Sequence, residues 1–122
     1  MTKILLVEDD PLLVNIYTTF FHSKGLELAV ATDGSTALDK VKEYKPDIIL
    51  LDLMMPRLGG LGVLEALNKA GNKAPVIIYS NLDSEDKQKE AMDKGATDFI
   101  SKSHSDPQDV LDAVNKHLPS ST

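Results

Sequence analysis

Five short apolar runs, each followed by a longer segment with helical spacing, constrain the fold of this chain most. Three of them, KILLV, IILL and VIIY, are continuous apolar blocks. Such blocks are typical of parallel strands that helices cover on both faces of the sheet. Alternating strands and helices with short links imply right-handed crossovers. The sequence therefore predicts an α/β fold, a (βα)5 doubly wound five-stranded parallel sheet. The predicted strands are Lys3–Val7, Leu26–Ala31, Ile48–Leu51, Val76–Ser80 and Asp98–Ser101.

Capping and stop residues mark the helices between these runs. Asp10 and Asp106 each precede a proline, the pattern of an N-cap followed by proline at the first helical position. Ser35 is the predicted N-cap of the second helix. The predicted helices begin at about Pro11, Ser35, Gly60, Ser84 and Pro107, and the fourth ends at Lys94. The residues predicted to stop the five helices are Gly25, Pro46, Gly71, Gly95 and Pro119.

The predicted inward faces of the helices differ in apolar content. The first helix keeps helical spacing with Leu13, Ile16, Tyr17 and Phe20. The fourth, SEDKQKEAMDK, offers only Ala91 and Met92 as good core residues. Because so little apolar area anchors it, we expect this helix to lie at the low-stability, mobile end of the fold.

Size, charge and cysteine content exclude several classes of protein. The chain has 122 residues, which fits a single domain over 1–122, ordered from about 3 to 118 with a small polar tail at 119–122. It has no cysteine, so thiolate zinc sites and disulfides are excluded. The net charge of −6 argues against direct nucleic-acid binding. No apolar run approaches the ~20 residues of a membrane span, and the N-terminus does not resemble a signal peptide, so we expect a cytoplasmic protein.

Polar residues stand at the carboxyl ends of four predicted strands: Glu8 and Asp9, Asp52, Ser80 and Lys102. In an open α/β sheet, ligands bind beyond these ends. Converging carboxylates repel each other unless a cation or a proton neutralises them, and an all-oxygen ligand set suits Mg²⁺. An ammonium and a hydroxyl beside them complete a set of groups suited to phosphoryl transfer.

Four segments give the chain a family resemblance: VEDD, LLDLMMP, IIYS and GATDFISK. Each is weak alone, but their order and spacing are specific. Over essentially its whole length the chain resembles a response-regulator receiver domain of two-component signalling, like the chemotaxis response regulators. The resemblance implies a flavodoxin-like sheet with strand order 2-1-3-4-5.

The resemblance also implies roles for individual residues. Asp52 would be the phosphoacceptor, and Glu8 and Asp9 would hold Mg²⁺ together with Asp52 and the backbone carbonyl of Met54. Lys102 would contact the phosphoryl group.

Further roles that the resemblance implies concern switching and hydrolysis. Ser80 would contact the phosphoryl group and, with Phe99, form the switch. Met54 and Leu82 would flank the approach of water to the phosphoryl group and would tune its hydrolysis.

The function expected from this resemblance is a signalling switch. A sensor histidine kinase or a histidine phosphotransfer protein would deliver the phosphoryl group to Asp52. The face built from helix four, strand five and helix five would then change and regulate an output protein that the sequence does not identify. A phosphorylation-dependent homodimer is compatible with this expectation. The domain is expected to catalyse only its own Mg²⁺-dependent phosphorylation and dephosphorylation, and no other enzymatic activity is expected.

Three positions depart from the family pattern. Ser103 follows Lys102, where the family usually has proline, so the local loop can differ. Asn81 follows Ser80, where the family favours a very small residue. The switch position carries Phe99 and not tyrosine, so it offers no phenolic hydroxyl to a partner.

Three alternative functions compete with the signalling switch. A haloacid-dehalogenase-like phosphohydrolase needs a second acid two residues after its nucleophile, where this chain has Met54. A flavodoxin-like FMN binder needs a phosphate loop after the first strand, where EDDP would repel a phosphate. The third alternative is a constitutive interaction module with a silent site. The intact set of polar residues argues against it, and a phosphorylation assay distinguishes it from the switch.

Overall fold

The structure is a computed structural model that describes residues 2–53, 59–80, 85–102 and 106–118. Five strands alternate with five helices within these residues. The strands are β1 (Lys3–Val7), β2 (Glu27–Ala31), β3 (Ile48–Leu51), β4 (Val76–Ser80) and β5 (Asp98–Ser101). The helices are α1 (Pro11–Ser23), α2 (Gly34–Tyr44), α3 (Gly60–Lys69), α4 (Glu85–Asp93) and α5 (Pro107–His117). The predicted (βα)5 pattern is confirmed. None of the helices described is long and apolar enough to cross a membrane.

The five strands form one parallel sheet in the order β2-β1-β3-β4-β5. This is the order that the resemblance implied. Val7 at the end of β1 pairs with Leu51 at the end of β3, and Ser80 at the end of β4 pairs with Ser101 at the end of β5. The carboxyl ends of the strands therefore lie along one edge of the sheet.

The continuous apolar strands supply two separate cores. Side chains alternate between the two faces of a strand, so neighbours in sequence enter different cores. One core joins alternate residues of β1, β3 and β4 to α2, α3 and α4. The other joins the intervening residues, among them Leu6, Leu50 and Tyr79, to α1 and α5. This arrangement confirms that helices cover both faces of the sheet.

The predicted caps of α1 and α5 are confirmed, but the predicted cap of α2 lies two residues too late in the sequence. The Asp10 carboxylate accepts a hydrogen bond from the backbone N–H of Leu12, and Asp106 forms a capping box with Asp109. In α2 the N-cap is Asp33 and not Ser35, because the Asp33 carboxylate accepts from Thr36 N and the helix begins at Gly34.

The inward face of α1 differs from the predicted one. Tyr17 and Phe21 are buried, whereas Ile16 is 41% exposed. Because α1 carries apolar residues on more than half of its circumference, helical spacing alone allows two faces, and only packing against the sheet selects one.

Helix α4 is held to the core by little apolar surface. Of its side chains that the structure describes, 86–93, Ala91 is buried and Met92 is 45% exposed. The prediction for Ala91 is confirmed and that for Met92 is wrong, since successive helical residues point about 100° apart.

Candidate functional site

Two buried acids lie side by side at the carboxyl edge of the sheet. Glu8 directly follows β1 and Asp52 directly follows β3, and these strands are neighbours. The Asp52 backbone N–H donates to the carbonyl of Val7 at 3.1 Å, which holds the two strand ends together. The Glu8 side chain is 1% exposed and that of Asp52 is 3% exposed. The sheet order reverses beside β1, so both acids lie at the crevice where ligands bind in such folds.

Asp9 completes a group of three acids. One carboxylate oxygen from each of Glu8, Asp9 and Asp52 lies within 4.8 Å of the other two. Asp9 is exposed, so the group is open to solvent on its side. Asp10 stands apart as the cap of α1, while its backbone N–H donates to Glu8 Oε1 at 3.2 Å.

Lys102, which directly follows β5, bridges the two buried acids. Its Nζ lies 2.7 Å from Glu8 Oε2 and 2.9 Å from Asp52 Oδ2, and its side chain is 12% exposed. The contact with Asp52 is a hydrogen bond, whereas the contact with Glu8 is an ion pair without hydrogen-bond alignment. Glu8 Oε2 is thus a buried oxygen that accepts no aligned hydrogen bond from the part of the protein described.

The electrostatics of the three groups are coupled. Burial raises the pKa of Glu8 above its ordinary value, and the nearby Asp52 charge adds to this effect, while Lys102 opposes it. Burial alone would lower the pKa of the Lys102 ammonium, but its close contacts with Glu8 and Asp52 and their negative charges raise it overall. Lys102 therefore stays charged, and Glu8 takes up a proton more readily in the folded protein than an exposed glutamate would.

Glu8→Gln is expected to stabilise the metal-free protein at neutral pH, by about 0.5–2 kcal/mol, the range typical of stabilising substitutions. With the pKa of Glu8 raised on folding, the folded state binds more protons than the unfolded state. Wild-type stability therefore falls as the pH rises through the interval from the ordinary value of 4.5 to the raised pKa. Gln has no such loss, so its advantage should vanish below that interval. Urea unfolding in EDTA from about pH 4 to about pH 8 measures the difference.

The control for this experiment is Glu43→Gln, which removes the same charge from an exposed position on α2. Its stability should follow that of the wild type at every pH. A Glu8→Gln curve parallel to the wild-type curve would show that Glu8 has no raised pKa.

Ser80 and Phe99 lie on the same face of the sheet. Ser80 ends β4 and is fully buried, and Phe99 is half-buried in β5, where it pairs with Ile78. Because Ile78 and Ser80 are two residues apart in one strand, their side chains share a face, and Phe99 packs against the core on that side. The structure therefore brings the two predicted switch residues onto one surface.

Four positions considered above lie outside the described residues: Met54, Leu82, Asn81 and Ser103. The backbone-carbonyl role of Met54, the hydrolysis-tuning roles of Met54 and Leu82, and the two departures at Asn81 and Ser103 stay predictions.

Gly60 supports the site, although the sequence pattern indicates it only as the start of the third helix. A Cβ atom at this position would lie 2.4 Å from the carbonyl oxygen of Asp52 and 2.5 Å from Leu53 Cα. The α3 terminus therefore contacts the backbone of Asp52 at a distance that only glycine permits. The doubled glycine at the predicted helix start was the available signal.

Tyr79 is the second residue whose place in the site was missed. Lys102 Nζ lies 5.3 Å from the centroid of its ring. The alternation of side chains along β4 could have separated Tyr79 from Ser80, but no sequence pattern shows that a lysine from another strand lies over the ring.

An acidic crevice bridged by a lysine, at the switch point of a five-stranded doubly wound sheet, defines the receiver class of domain. Comparison with known proteins agrees with this assignment. The profile of the family described as "Response regulator receiver domain" matches residues 4–115. The chain belongs to the response regulator receiver domain family of two-component systems.

Individual relatives and structures are consistent with that family. The chain is 34% identical over 116 residues to the DNA-binding response regulator MtrA of Mycolicibacterium smegmatis, covering 95% of this chain and 50% of that protein. It resembles the structure of the Francisella response regulator 1452 receiver domain, with a TM-score of 0.89, 34% identity and 95% coverage of each chain. It also resembles the BeF3-activated N-terminal receiver domain of Klebsiella pneumoniae RstA, with a TM-score of 0.90, 28% identity, and coverage of 98% of this chain and 100% of that one.

Two consequences follow from these comparisons. The family is one of receiver domains and not a catalytic family, so the phosphohydrolase and FMN-binding alternatives are rejected. The chain spans about half the length of the curated relatives that it matches.

Proposed function

We propose that this domain is a phosphoacceptor switch that receives a phosphoryl group on Asp52. The observation that carries the proposal is the contact of Lys102 Nζ with both Asp52 Oδ2 and Glu8 Oε2. An ammonium placed at the carboxylate stabilises the negative charge of a transferring phosphoryl group, which is the main catalytic requirement of this chemistry. The donor is a phosphohistidine on a sensor kinase or a phosphotransfer protein.

The transfer step uses one oxygen of Asp52 as the nucleophile. That oxygen forms a bond to phosphorus while the bond from phosphorus to the donor imidazole nitrogen breaks, and the nitrogen keeps the electron pair. The Lys102 ammonium stabilises the negative charge of the transferring phosphoryl group, and Ser80 supplies a hydroxyl near the product. The product is an acyl phosphate on Asp52.

The acids fit a resident Mg²⁺. Glu8, Asp9 and Asp52 offer only oxygen atoms, and Glu8 Oε2 has no aligned hydrogen bond to lose. We assign these three residues, with the carbonyl of Met54, to the cation. When bound, Mg²⁺ supplies positive charge that neutralises the acids and the phosphoryl oxygens.

Addition of Mg²⁺ is expected to raise the melting temperature, because a ligand that binds only the folded state stabilises it. At a concentration 100 times its dissociation constant the gain is about 2.7 kcal/mol. Melts in EDTA and in Mg²⁺ measure it. Asp9→Asn should lose most of the effect, whereas Asp10→Asn should keep it, since asparagine caps a helix as well as aspartate does. Equal Mg²⁺ effects in both variants would remove Asp9 from the site.

The switch itself is proposed to act through Ser80 and Phe99. The phosphoryl oxygens draw the Ser80 hydroxyl toward Asp52, and Phe99 turns on the same face of the sheet. The weakly anchored α4 then adjusts with β5 and α5, which changes the surface offered to an output protein or a second copy of the domain. This is a shift between two packings of similar free energy.

Phosphorylation by a small donor tests the proposal directly. We expect incubation with Mg²⁺ and acetyl phosphate to add one phosphoryl group, detected by intact mass and mapped to Asp52. Asp52→Asn should not be modified, and Asp93→Asn, an exposed change on α4, should be modified like the wild type. An unchanged wild-type mass, or phosphorylation at another residue, would support a silent interaction module.

A further inference from the structure

The Lys102 ammonium lies over an aromatic ring. Its Nζ is 5.3 Å from the ring centroid of Tyr79, within the range of a cation–π contact. The Tyr79 side chain is 2% exposed, and such contacts are stronger where water is excluded. The ammonium is therefore held from below by the ring and from the side by Glu8 and Asp52.

The position of Tyr79 follows from the alternation of β4. Tyr79 enters the core on the α1 and α5 side of the sheet, together with Ile100 of β5, whereas Phe99 enters the opposite core. Lys102 directly follows β5, and its ammonium lies on the Tyr79 side of the sheet, 5.3 Å from the centroid of that ring. The Tyr79 ring therefore packs beneath the Lys102 ammonium where the ammonium contacts Glu8 and Asp52.

The Tyr79 ring is itself fixed by α1. Its hydroxyl donates a hydrogen bond to the Tyr17 hydroxyl at 2.8 Å, and the two rings pack edge to face with centroids 5.3 Å apart. Burial raises the pKa of both tyrosines, so both hydroxyls keep their protons. Neither ring can turn without breaking a buried hydrogen bond.

We propose that Tyr79, held by Tyr17, is a positioning residue that fixes the Lys102 ammonium for contact with the phosphoryl group on Asp52. The inference rests on the proposed function and assigns to this tyrosine pair a part in it. A ring at this position limits the directions that the flexible lysine can take. Without the ring, Lys102 would keep its charge but would meet the phosphoryl oxygens less often.

The test compares variants that keep or remove the ring. Tyr79→Leu should bind beryllofluoride, a phosphoryl analogue, about tenfold more weakly at saturating Mg²⁺, the loss expected for a partly desolvated cation–π contact. Tyr79→Phe keeps the ring and should restore most of the affinity. Mg²⁺ affinity measured without beryllofluoride should not weaken in either variant, because the ring contacts the lysine and not the acids.

A matched control is Phe21→Leu. Phe21 is fully buried in the same core and packs against Tyr17, with ring centroids 5.8 Å apart. This variant removes an aromatic ring of similar size without touching Lys102. Its beryllofluoride affinity should equal that of the wild type even where its melting temperature falls.

A spectroscopic measurement separates this inference from the proposed function. The ε-methylene protons of Lys102 should show a ring-current shift and cross-peaks to the Tyr79 ring in the free protein. They should persist in Tyr79→Phe and Phe21→Leu. If the wild type shows these signals but does not bind beryllofluoride, the contact between Lys102 and the Tyr79 ring exists but the proposed function is wrong. The positioning role of Tyr79, which depends on that function, is then wrong as well.

Other outcomes overturn the inference alone. It is wrong if Tyr79→Leu binds beryllofluoride like the wild type, if Phe21→Leu loses as much affinity, or if the cross-peaks are absent. Where Tyr79→Leu does not fold, Tyr79→pentafluorophenylalanine keeps the ring shape but reverses its charge distribution. It should then bind beryllofluoride more weakly than Tyr79→Phe, and equal affinities would overturn the inference.

Discussion

Gly60→Ala is expected to destabilise the protein by about 3 kcal/mol, at the upper end of the usual effect of overpacking. The added Cβ would lie 2.4 Å from the carbonyl oxygen of Asp52 and 2.5 Å from Leu53 Cα. Both obstacles are backbone atoms, so no flexible side chain can move away. The chain must shift α3 or the residues after β3. Urea unfolding measures the loss of stability.

The same variant should also lose affinity for beryllofluoride, because the displaced backbone carries Asp52. Gly59→Ala is the matched control, since its Cβ would meet only the carbonyl oxygen of Leu53, at an ordinary 3.7 Å. We expect this control to lie within about 1 kcal/mol of the wild type, since Gly59 is the N-cap of α3 and alanine caps a helix less well than glycine. Equal stabilities of the two variants would show that Gly60 approaches Asp52 less closely than described.

Lys102→Met is expected to destabilise the metal-free protein by about 3 kcal/mol at neutral pH, the lower end for the loss of one partner from a buried ion pair. It leaves Glu8 and Asp52 buried side by side with no cation. The lower end applies because exposed Asp9 opens the site to solvent. Phosphorylation of Asp52 should also slow strongly, since the ammonium that stabilises the transferring group is gone.

The stability lost in Lys102→Met should depend on pH and on Mg²⁺. Lys102 opposes the rise of the Glu8 pKa, so its removal raises that pKa further. The folded variant then binds a proton more readily, and its deficit should shrink as the pH falls through the Glu8 pKa. Mg²⁺ should recover part of the stability at neutral pH, because it replaces the missing positive charge.

Lys94→Met serves as the control for Lys102→Met. Lys94 pairs with Glu65 at 3.3 Å, and its side chain is 30% exposed. A surface pair of this kind contributes little to stability, because solvent screens its charges. If both lysine variants unfold alike at every pH, the bridge between Glu8 and Asp52 contributes no more than a surface contact.

The strands were the most predictable part of this fold. A continuous apolar block such as VIIY is typical of a strand that is covered on both faces, as in a parallel sheet between two layers of helices. The strand order came from the family resemblance and not from the residues, because nothing in a strand names its neighbour. The aspartate-proline caps at Asp10 and Asp106 were correct because capping depends on local chemistry.

The errors concern properties that depend on packing between elements. Helical spacing in α1 admits both Ile16 and Phe21 as inward residues, and the sheet selects Phe21. The cap of the second helix is a local exception: both Asp33 and Ser35 are good cap residues, and Asp33 is the one that accepts from Thr36 N.

In the candidate site, too, some features could be predicted from the sequence and others depend on packing between elements. The acids at strand ends could be predicted to converge, since parallel strands end at one edge. That Glu8 is buried while Asp9 is exposed could not, because only the direction of each side chain distinguishes them. The contacts of Gly60 with Asp52 and of Tyr79 with Lys102 depend on distances between elements far apart in sequence.

The sparse anchoring of α4 has an evolutionary consequence. Of its described side chains, Ala91 alone is buried, so most substitutions along this helix leave the core unchanged. The acids and Lys102, by contrast, depend on strand ends that two cores hold in register. Descendants of such a domain after gene duplication can therefore diverge in what they recognise without first giving up their chemistry.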